Sequence, residues 1–425
     1  MALILLGVFS ILAIIGIPIG FSLGFAAIVA LIVKTEVPLT IVIQRFVSGI
    51  NSFPLMAIPF FILAGNLMTA SGITSKLLDF SNVLVGRFRG GLAMANIVAS
   101  MFFGGISGSA VADTSAIGGA LIPAMLERGY DKDFTVAVTA SSSCLAPIIP
   151  PSITMIVYGT ITGVSITRLF LGGMIPGILF GFGLMVVAYI YSIKRNYSRE
   201  KIVNFKEALR IFKDVIWALI MPIIVLGGIL AGVFTPTEAG AVAVVYSFFV
   251  GIFIYKKLKL RDLINTIKKS SILIGICMLV IGMAQTFTWL LVVGKVPMEI
   301  SSFLLSITSN KWMLLILINI VMLIVGVFIE ANAALIIFMP ILYPLAMKMG
   351  IDPVHFGIII VFNLCLGLLT PPVGMCLILA SEIANISLEN AARGTVMFFL
   401  VGIIVLLLIT FIPSIATYMP SILMP

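Results

Sequence analysis

Long apolar runs separated by short polar gaps dominate this chain, and they fall near 3–33, 53–72, 133–160, 165–193, 214–234, 238–255, 270–294, 353–380 and 395–420. Each is long enough to cross about 30 Å of hydrocarbon as a helix. Two further runs, about 91–127 and 312–347, are rich in small residues midway and interrupted there by polar ones. Irregular backbone at membrane depth needs protein or water around it, so these two read as re-entrant helical hairpins. The first apolar run lacks a basic n-region and a small-residue cleavage site. It therefore reads as a span, not as a removed signal.

The pattern also repeats. At an offset of 221, Gly129 matches Gly350, Asp131 matches Asp352, Cys144-Leu145 matches Cys365-Leu366 and Pro150-Pro151 matches Pro371-Pro372. Upstream, an offset of 217 pairs Asp113 with Glu330, Ala116 with Ala333 and Pro123 with Pro340. Each half thus carries a hairpin followed by a proline-broken helix, over about 133–160 and about 353–380. Proline removes an amide donor and frees carbonyls midway along a span.

Composition removes the soluble alternatives. Apolar residues make up 61% of the 425 residues, against about 45–50% in soluble proteins. Charged residues supply 10% where about 25% is usual, and the mean hydropathy is +1.27. There is too little polar surface to cover a water-soluble globule, so the fold class is an all-α integral membrane protein. Disorder, fibrous repeats and a disulfide scaffold are excluded by the same figures. Cys144, Cys277, Cys365 and Cys376 lie in apolar runs without metal-ligand spacing.

The net charge of +9 describes topology and not nucleic-acid binding, because the bases sit in the gaps between spans. The two most basic gaps, 194–213 and 256–269, are two spans apart and lie on one face, predicted cytoplasmic. Phe205, Ala208, Leu209 and Phe212 in one, and Leu260, Leu263, Ile264 and Ile267 in the other, carry helical apolar spacing opposite Lys and Arg. They read as interfacial helices on the inner leaflet, with solvated linkers as the alternative. Counting spans outward from these gaps starts the broken helix at 133 inside and its counterpart at 353 outside. Corresponding elements then point in opposite directions, an inverted-topology repeat of the kind secondary transporters use for alternating access. The chain divides into a first repeat over 1–195, a cytoplasmic amphipathic connector over 196–212, and a second repeat over 213–425 with its interfacial helix at about 257–269.

Candidate chemistry concentrates where the repeat is irregular. The first hairpin tip supplies Ser107, Ser109, Asp113, Thr114 and Ser115, and the broken helix after it Ser141, Ser142 and Ser143. The second half supplies Gly326, Glu330, Asn332, Asn363, Gly367 and Thr370. A hard monovalent cation such as Na+ wants oxygens of this kind, and half-helix N-termini suit a carboxylate. Any single Ser or Gly in a span also serves helix packing. Asp113 and Glu330 are harder to assign to packing, since an ionisable group at membrane depth is costly unless paired or hydrated. Capping of exposed amides at the hairpin tips is the competing role for both. Asp131 and Asp352 precede helices and read as structural, as does the capping box Thr235-Pro236-Thr237-Glu238. The single histidine, His355, supports no catalytic pair, and neither a metalloprotease motif nor a phosphate loop with its lysine occurs. An enzyme is not indicated.

With these motifs in view, the chain resembles the large membrane subunit of tripartite ATP-independent periplasmic (TRAP) transporters over essentially its whole length. The resemblance rests on GIPIGFSLG at 16–24, SFPLMAIPFFILAGNLM at 52–68, FGGISGSAVADTSAIG at 103–118, FTPTEAGAVAVVY at 234–246 and LGLLTPPVGM at 366–375, in that order. It implies an elevator in the bacterial inner membrane, driven by two or more Na+ and taking up an organic acid, sialic acid or a C4-dicarboxylate. It implies two partners, a periplasmic substrate-binding protein and a small four-helix membrane subunit not seen fused to either end. Carried onto this sequence, Na+ ligation falls on Ser107 and Ser115 with Ser141 and Ser143. A second site falls on Gly326, Glu330, Asn332, Gly367 and Thr370. Substrate contact falls on Ser107, Ser109, Asp113, Thr114 and Ser142. A stand-alone Na+/carboxylate symporter and a channel-like membrane protein are the competing readings.

Overall fold

The computed structural model describes residues 2–34, 37–200, 203–308 and 310–424. Helices account for its regular structure, and the only strand-type pairing among the described residues is an isolated bridge between Arg89 and Arg199. Eight helices among the described residues are long and apolar enough to cross a membrane. The expected all-α membrane protein is what the chain folds into.

The run expected as a first span is two helices, α1 (Ala2–Ile14) and α2 (Ile19–Lys34). Gly16 takes φ +89°, the amides of Gly16 and Ile17 close the end of α1, and Pro18 cannot continue it. The chain turns back at that point, so α1 packs on α2. An unexpected amphipathic helix, α3 (Thr40–Ile50), follows. Next come α4 (Ala57–Ala70), α5 (Ile73–Val85) and the first hairpin: α6 (Gly91–Ser107), the short α7 (Ala110–Asp113), a π turn over Thr114–Gly118, and α8 (Gly119–Glu127). The first broken helix is α9 (Lys132–Ser143) and α10 (Ile153–Thr162), and α11 (Ile166–Lys194) closes the first half.

The second half opens with α12 (Phe205–Leu230), α13 (Pro236–Phe249) ending in a π turn over Val250–Ile254, α14 (Leu260–Val293) and α15 (Val296–Ile307). The second hairpin is α16 (Lys311–Phe328) and α17 (Ala331–Lys348), and the second broken helix α18 (Pro353–Gly367) and α19 (Met375–Ala384). Finally, α20 (Leu388–Phe411) and α21 (Ser414–Leu423) split the run expected at 395–420 at Pro413. The two interfacial helices do not stand apart. No Gly or Pro separates 205–212 or 260–269 from the apolar residues that follow, so each is the opening of a continuous helix.

The two broken helices cross at the centre and run antiparallel. Lys132 at the start of α9 donates to the Asn385 carbonyl just beyond α19 (3.2 Å). At the opposite end, the Tyr158 hydroxyl on α10 donates to the Pro353 carbonyl that opens α18 (3.0 Å). Between them, the Cys144 thiol meets the Cys365 carbonyl at 3.1 Å. These two cysteines occupy equivalent positions in the halves. The bonds Pro150-Pro151 and Pro371-Pro372 are both cis.

Each hairpin lies on the break of the helix that follows it. In the first half Gly104 faces Ala146, and Gly108 (φ +60°) faces the Pro151 carbonyl so closely that a side chain has no room. In the second, Gly326 turns its carbonyl onto Gly367, backbone against backbone. Small residues permit this approach where a larger one would hold the helices apart.

The chain leaving α11 latches onto the base of the first hairpin. Arg195 reaches Asp131 (2.8 Å) and grips Asp133 with both terminal nitrogens (2.9 Å each). Tyr197 donates to Asp131 (2.7 Å), and Arg128 Nη1 donates to both oxygens of Glu200 (2.7 and 2.8 Å). The forked Arg195–Asp133 pair fixes orientation as well as adding energy.

The crossing yields a direct prediction. Gly367→Ala forces a methyl into the Gly326 backbone and should cost about 1–3 kcal/mol as overpacking, lowering the thermal midpoint of the detergent-solubilised chain. Gly275→Ala on α14, where a Cβ meets nothing within 4 Å, should leave the midpoint unchanged or slightly raised. Equal midpoints for the two variants would contradict the proposed packing.

Candidate functional site

The first half gathers its polar side chains on three elements. Asp113, at the end of α7, is fully buried. Ser100 on α6 donates to its Oδ2 (2.8 Å) and stands 3.1 Å from the hydroxyl of Ser142 on α9. Ser142 donates to Asn96 Oδ1 (3.1 Å), and Asn96 Nδ2 donates to Thr139 (2.7 Å). A hydrogen-bonded chain therefore ties the first arm of the hairpin, its tip and the broken helix together. Asp113 Oδ1 and Ser141 Oγ are buried with no partner, as are the hydroxyls of Thr135 on α9 and of Tyr130 just before it.

The remaining expected residues of this half have local duties. Ser109 caps α7, accepting from the Ala112 amide (3.4 Å), and Ser107 is buried at the end of α6. Thr114 and Ser115 donate back to the carbonyls of Ala110 (3.0 Å) and Val111 (2.9 Å) in the π turn. Ser143 donates to the Thr139 carbonyl (2.9 Å). Ser115 is exposed, so it stands apart from the buried chain. Turns of the π type inside helices recur at functional positions because they re-aim side chains.

In the second half the acid behaves differently. Glu330 caps α17, accepting from the amides of Asn332 (3.0 Å) and Ala333 (3.1 Å) and from Asn332 Nδ2 (2.8 Å), and it is exposed at the hairpin tip. The capping role takes Glu330, while Asp113 lies buried beyond its own tip. Two positions matched by sequence thus have unlike surroundings. Asn363 on α18 donates to the carbonyl and side-chain oxygen of Asn319 on α16 (3.0 and 3.1 Å), and Asn319 donates to Thr410 (2.9 Å). Thr370 in the break donates to Leu366 (3.1 Å). Again two buried oxygens have no partner: Asn332 Oδ1 and Asn363 Oδ1.

Buried polar atoms are nearly always satisfied, so each orphan calls for an explanation, an ion among them. Those of Asp113, Ser141, Asn332 and Asn363 are carboxylate, hydroxyl and amide oxygens, the donor set of a hard cation. Among the described residues no three of His, Cys, Asp and Glu converge as they would around a transition metal. Gly326 and Gly367 add backbone at the second crossing. Oxygens of this kind would suit a hard monovalent cation such as Na+. Sequence reasoning missed Asn96, Ser100, Thr139 and Asn319. The available signal was two polar residues four apart on α6 and a lone Asn in the apolar α16, each on a helix face that a partner covers.

The family described as "Tripartite ATP-independent periplasmic transporter, DctM component" matches residues 6–415. The isethionate TRAP transporter permease protein DctMQ of Oleidesulfovibrio alaskensis is 40% identical over 98% of this chain and 66% of its own length. The sialic acid TRAP transporter large permease protein SiaM of Vibrio cholerae is 37% identical over 96% of this chain and 95% of its own. The C4-dicarboxylate TRAP transporter large permease protein DctM of Rhodobacter capsulatus is 35% identical over 99% of both.

Removing the donor from the buried acid should be costly whatever the site binds. Ser100→Ala strips Asp113 Oδ2 of its hydroxyl, with an expected loss of about 1–3 kcal/mol in unfolding free energy. Ser115→Ala, exposed and bonded only within its own turn, should stay within about 0.5 kcal/mol of the native chain. Denaturant unfolding followed by tryptophan fluorescence distinguishes them, and equal losses would remove the case for the chain of hydroxyls.

Proposed function

The chain belongs to the DctM-component family of tripartite ATP-independent periplasmic transporters, and from that premise we propose that it is the large permease subunit of a Na+-coupled organic-acid uptake system in the bacterial inner membrane. The observation that supports the ion coupling is the presence of orphaned buried oxygens in both halves, Asp113 Oδ1 and Ser141 Oγ in one and Asn332 Oδ1 and Asn363 Oδ1 in the other. The antiparallel contacts of the broken helices support an inverted repeat over 1–195 and 213–425. In this reading the hairpins and broken helices slide as an elevator against the remaining spans.

The relatives' substrates, isethionate, sialic acid and C4-dicarboxylates, share an anionic head. We assign its contacts to Ser107, Ser109, Asp113, Thr114 and Ser142. A buried carboxylate facing an anion is repulsive unless a cation stands between them, so Asp113 makes substrate binding depend on Na+. The first ion is held by Ser107, Ser141 and Ser143 around that tip, and Ser115, exposed on the π turn, lies outside it. The second is held by Asn332, Asn363, Thr370 and the backbone of Gly326 and Gly367, with Glu330 keeping the tip of α17 in place. Each Na+ entering down about 100 mV contributes about 2.3 kcal/mol. Two offset a substrate gradient of more than about a thousandfold at about 1.4 kcal/mol per decade. A periplasmic binding protein delivers the substrate, and a small four-helix membrane subunit completes the assembly.

The test is uptake of labelled sialic acid, succinate and isethionate into proteoliposomes under an inward Na+ gradient, with and without the small subunit and binding protein. Uptake of one of these acids that needs both the gradient and the partners is expected. Uptake by the chain alone would favour a stand-alone symporter, and indifference to Na+ would end the coupling claim. Asn332→Ala and Thr370→Ala should each raise the Na+ concentration for half-maximal uptake several-fold while membrane insertion persists.

A further inference from the structure

Helix α12 holds 26 residues and α14 holds 34, about 39 and 51 Å at 1.5 Å per residue. Both exceed the roughly 30 Å of hydrocarbon, and both overshoot at their basic ends. Those ends remain apolar in part: Phe205 is 83% and Leu260 74% exposed, with Leu209, Phe212, Ile264 and Ile267 exposed beside them. Basic residues follow directly in sequence, at Phe205-Lys206, Leu209-Arg210, Phe212-Lys213, Leu260-Arg261 and Ile267-Lys268. Such doublets set an apolar stripe beside a cationic one, the arrangement that lies at the boundary of acyl chain and headgroup.

A fixed node joins the two helix starts. Tyr255 donates to the Asp214 carbonyl (2.9 Å), and Lys76 pairs with the Asp214 carboxylate (3.3 Å) while lying over the Tyr255 ring. Lys213 and Lys256 each adjoin a member of that bond, so the node sets them on one rim. Lys256 holds a left-handed backbone (φ +53°), uncommon for a residue with a side chain and found where a position is over-determined by its surroundings. Both lysines are exposed, and no ion pair among the described residues engages either of them.

We propose that this rim is a binding site for an anionic phospholipid, its phosphate held between Lys213 and Lys256 and its acyl chains along the exposed apolar stripes of α12 and α14. The charge excess is one-sided, since Lys206, Arg210, Lys213, Lys256, Lys257, Lys259, Arg261, Lys268 and Lys269 face only Glu207, Asp214 and Asp262 in these segments, and polybasic surfaces at a bilayer select anionic lipid. Lipid bound there holds the starts of both long helices at the leaflet. The site needs neither substrate nor Na+, so its failure would leave the transport reading intact.

The full chain, purified in detergent and incubated with equimolar phosphatidylglycerol and phosphatidylcholine, is examined by native mass spectrometry for retained lipid. The native chain should retain phosphatidylglycerol in several-fold preference. The double variant K213Q/K256N, with Asn tolerating the left-handed backbone, should lose that preference about fivefold or more. K213Q alone, in an uninterrupted helix, should lose at least half, and K213R/K256R should keep it. The control K311Q/K348Q, at the base of the second hairpin, should also keep it. No preference in the native chain, full preference in K213Q/K256N or K213Q, loss in the arginine variant, or equal loss in the control would each overturn the site.

Discussion

Two helices interrupted by proline inside an apolar protein impose the constraint on which the rest of the structure depends. Backbone amides and carbonyls at such breaks find no water in hydrocarbon, so protein must cover them. The first break satisfies its amides in tight local turns, with Leu145, Ala146, Ile148 and Ile149 bonding back to Ser142, Ser143 and Leu145, and Ser152 donating to the Pro147 carbonyl. The second does the same through Leu368, Leu369, Thr370 and Gly374. Each hairpin then covers the break that follows it, and the two broken helices shield one another where Cys144 meets Cys365. The glycines at 104, 108, 326 and 367 are what let backbone approach backbone there.

From this constraint the candidate site follows. Covering a break with a hairpin brings the hairpin tip, its first arm and the broken helix within hydrogen-bonding reach. The chain Asn96–Ser142–Ser100–Asp113 is the result in the first half; in the second, the first arm meets the broken helix at Asn319–Asn363, and Asn319 reaches on to Thr410 of α20, with no residue of the tip in the network. What these networks leave unpaired is as informative as what they pair. Asp113 Oδ1 and Ser141 Oγ in the first half and Asn332 Oδ1 and Asn363 Oδ1 in the second are among the buried oxygens left without a partner, where an unmet acceptor is expensive; Thr74, Ser81, Asn82, Tyr130 and Thr135 carry the others among the described residues. The halves are not copies: the first buries a carboxylate, and the second spends its acid on a cap and relies on amides.

Much of this was legible in the sequence because proline and glycine act locally. The breaks before Ser152 and Gly374 and the turn of the first hairpin at Gly108 sit where Pro and Gly dictate, whatever surrounds them, while the second hairpin turns at Ile329-Glu330, where the acid caps α17. The turn at Gly16–Pro18 obeys the same chemistry but was hidden inside an unbroken apolar run, and hydropathy does not register a reversal of direction. The amphipathic segments at 205–212 and 260–269 read as separate helices because their apolar face differs from the spans after them. Helix continuity depends on backbone bonding, which no residue there interrupts. Asn96, Ser100, Thr139 and Asn319 went unseen for another reason. A polar residue in a span declares its role only through a partner distant in sequence.

The central proposal is that each half of the chain holds a cation with oxygens the fold leaves unpaired. Equilibrium binding of radiolabelled Na+ to the detergent-purified chain tests it most directly, since it needs no substrate and no partner. Saturable binding of about two ions per chain is expected, falling to about one in Asn363→Leu and again to about one in Ser141→Ala. Failure of the native chain to bind Na+ saturably, or full binding retained in both variants, would contradict the account.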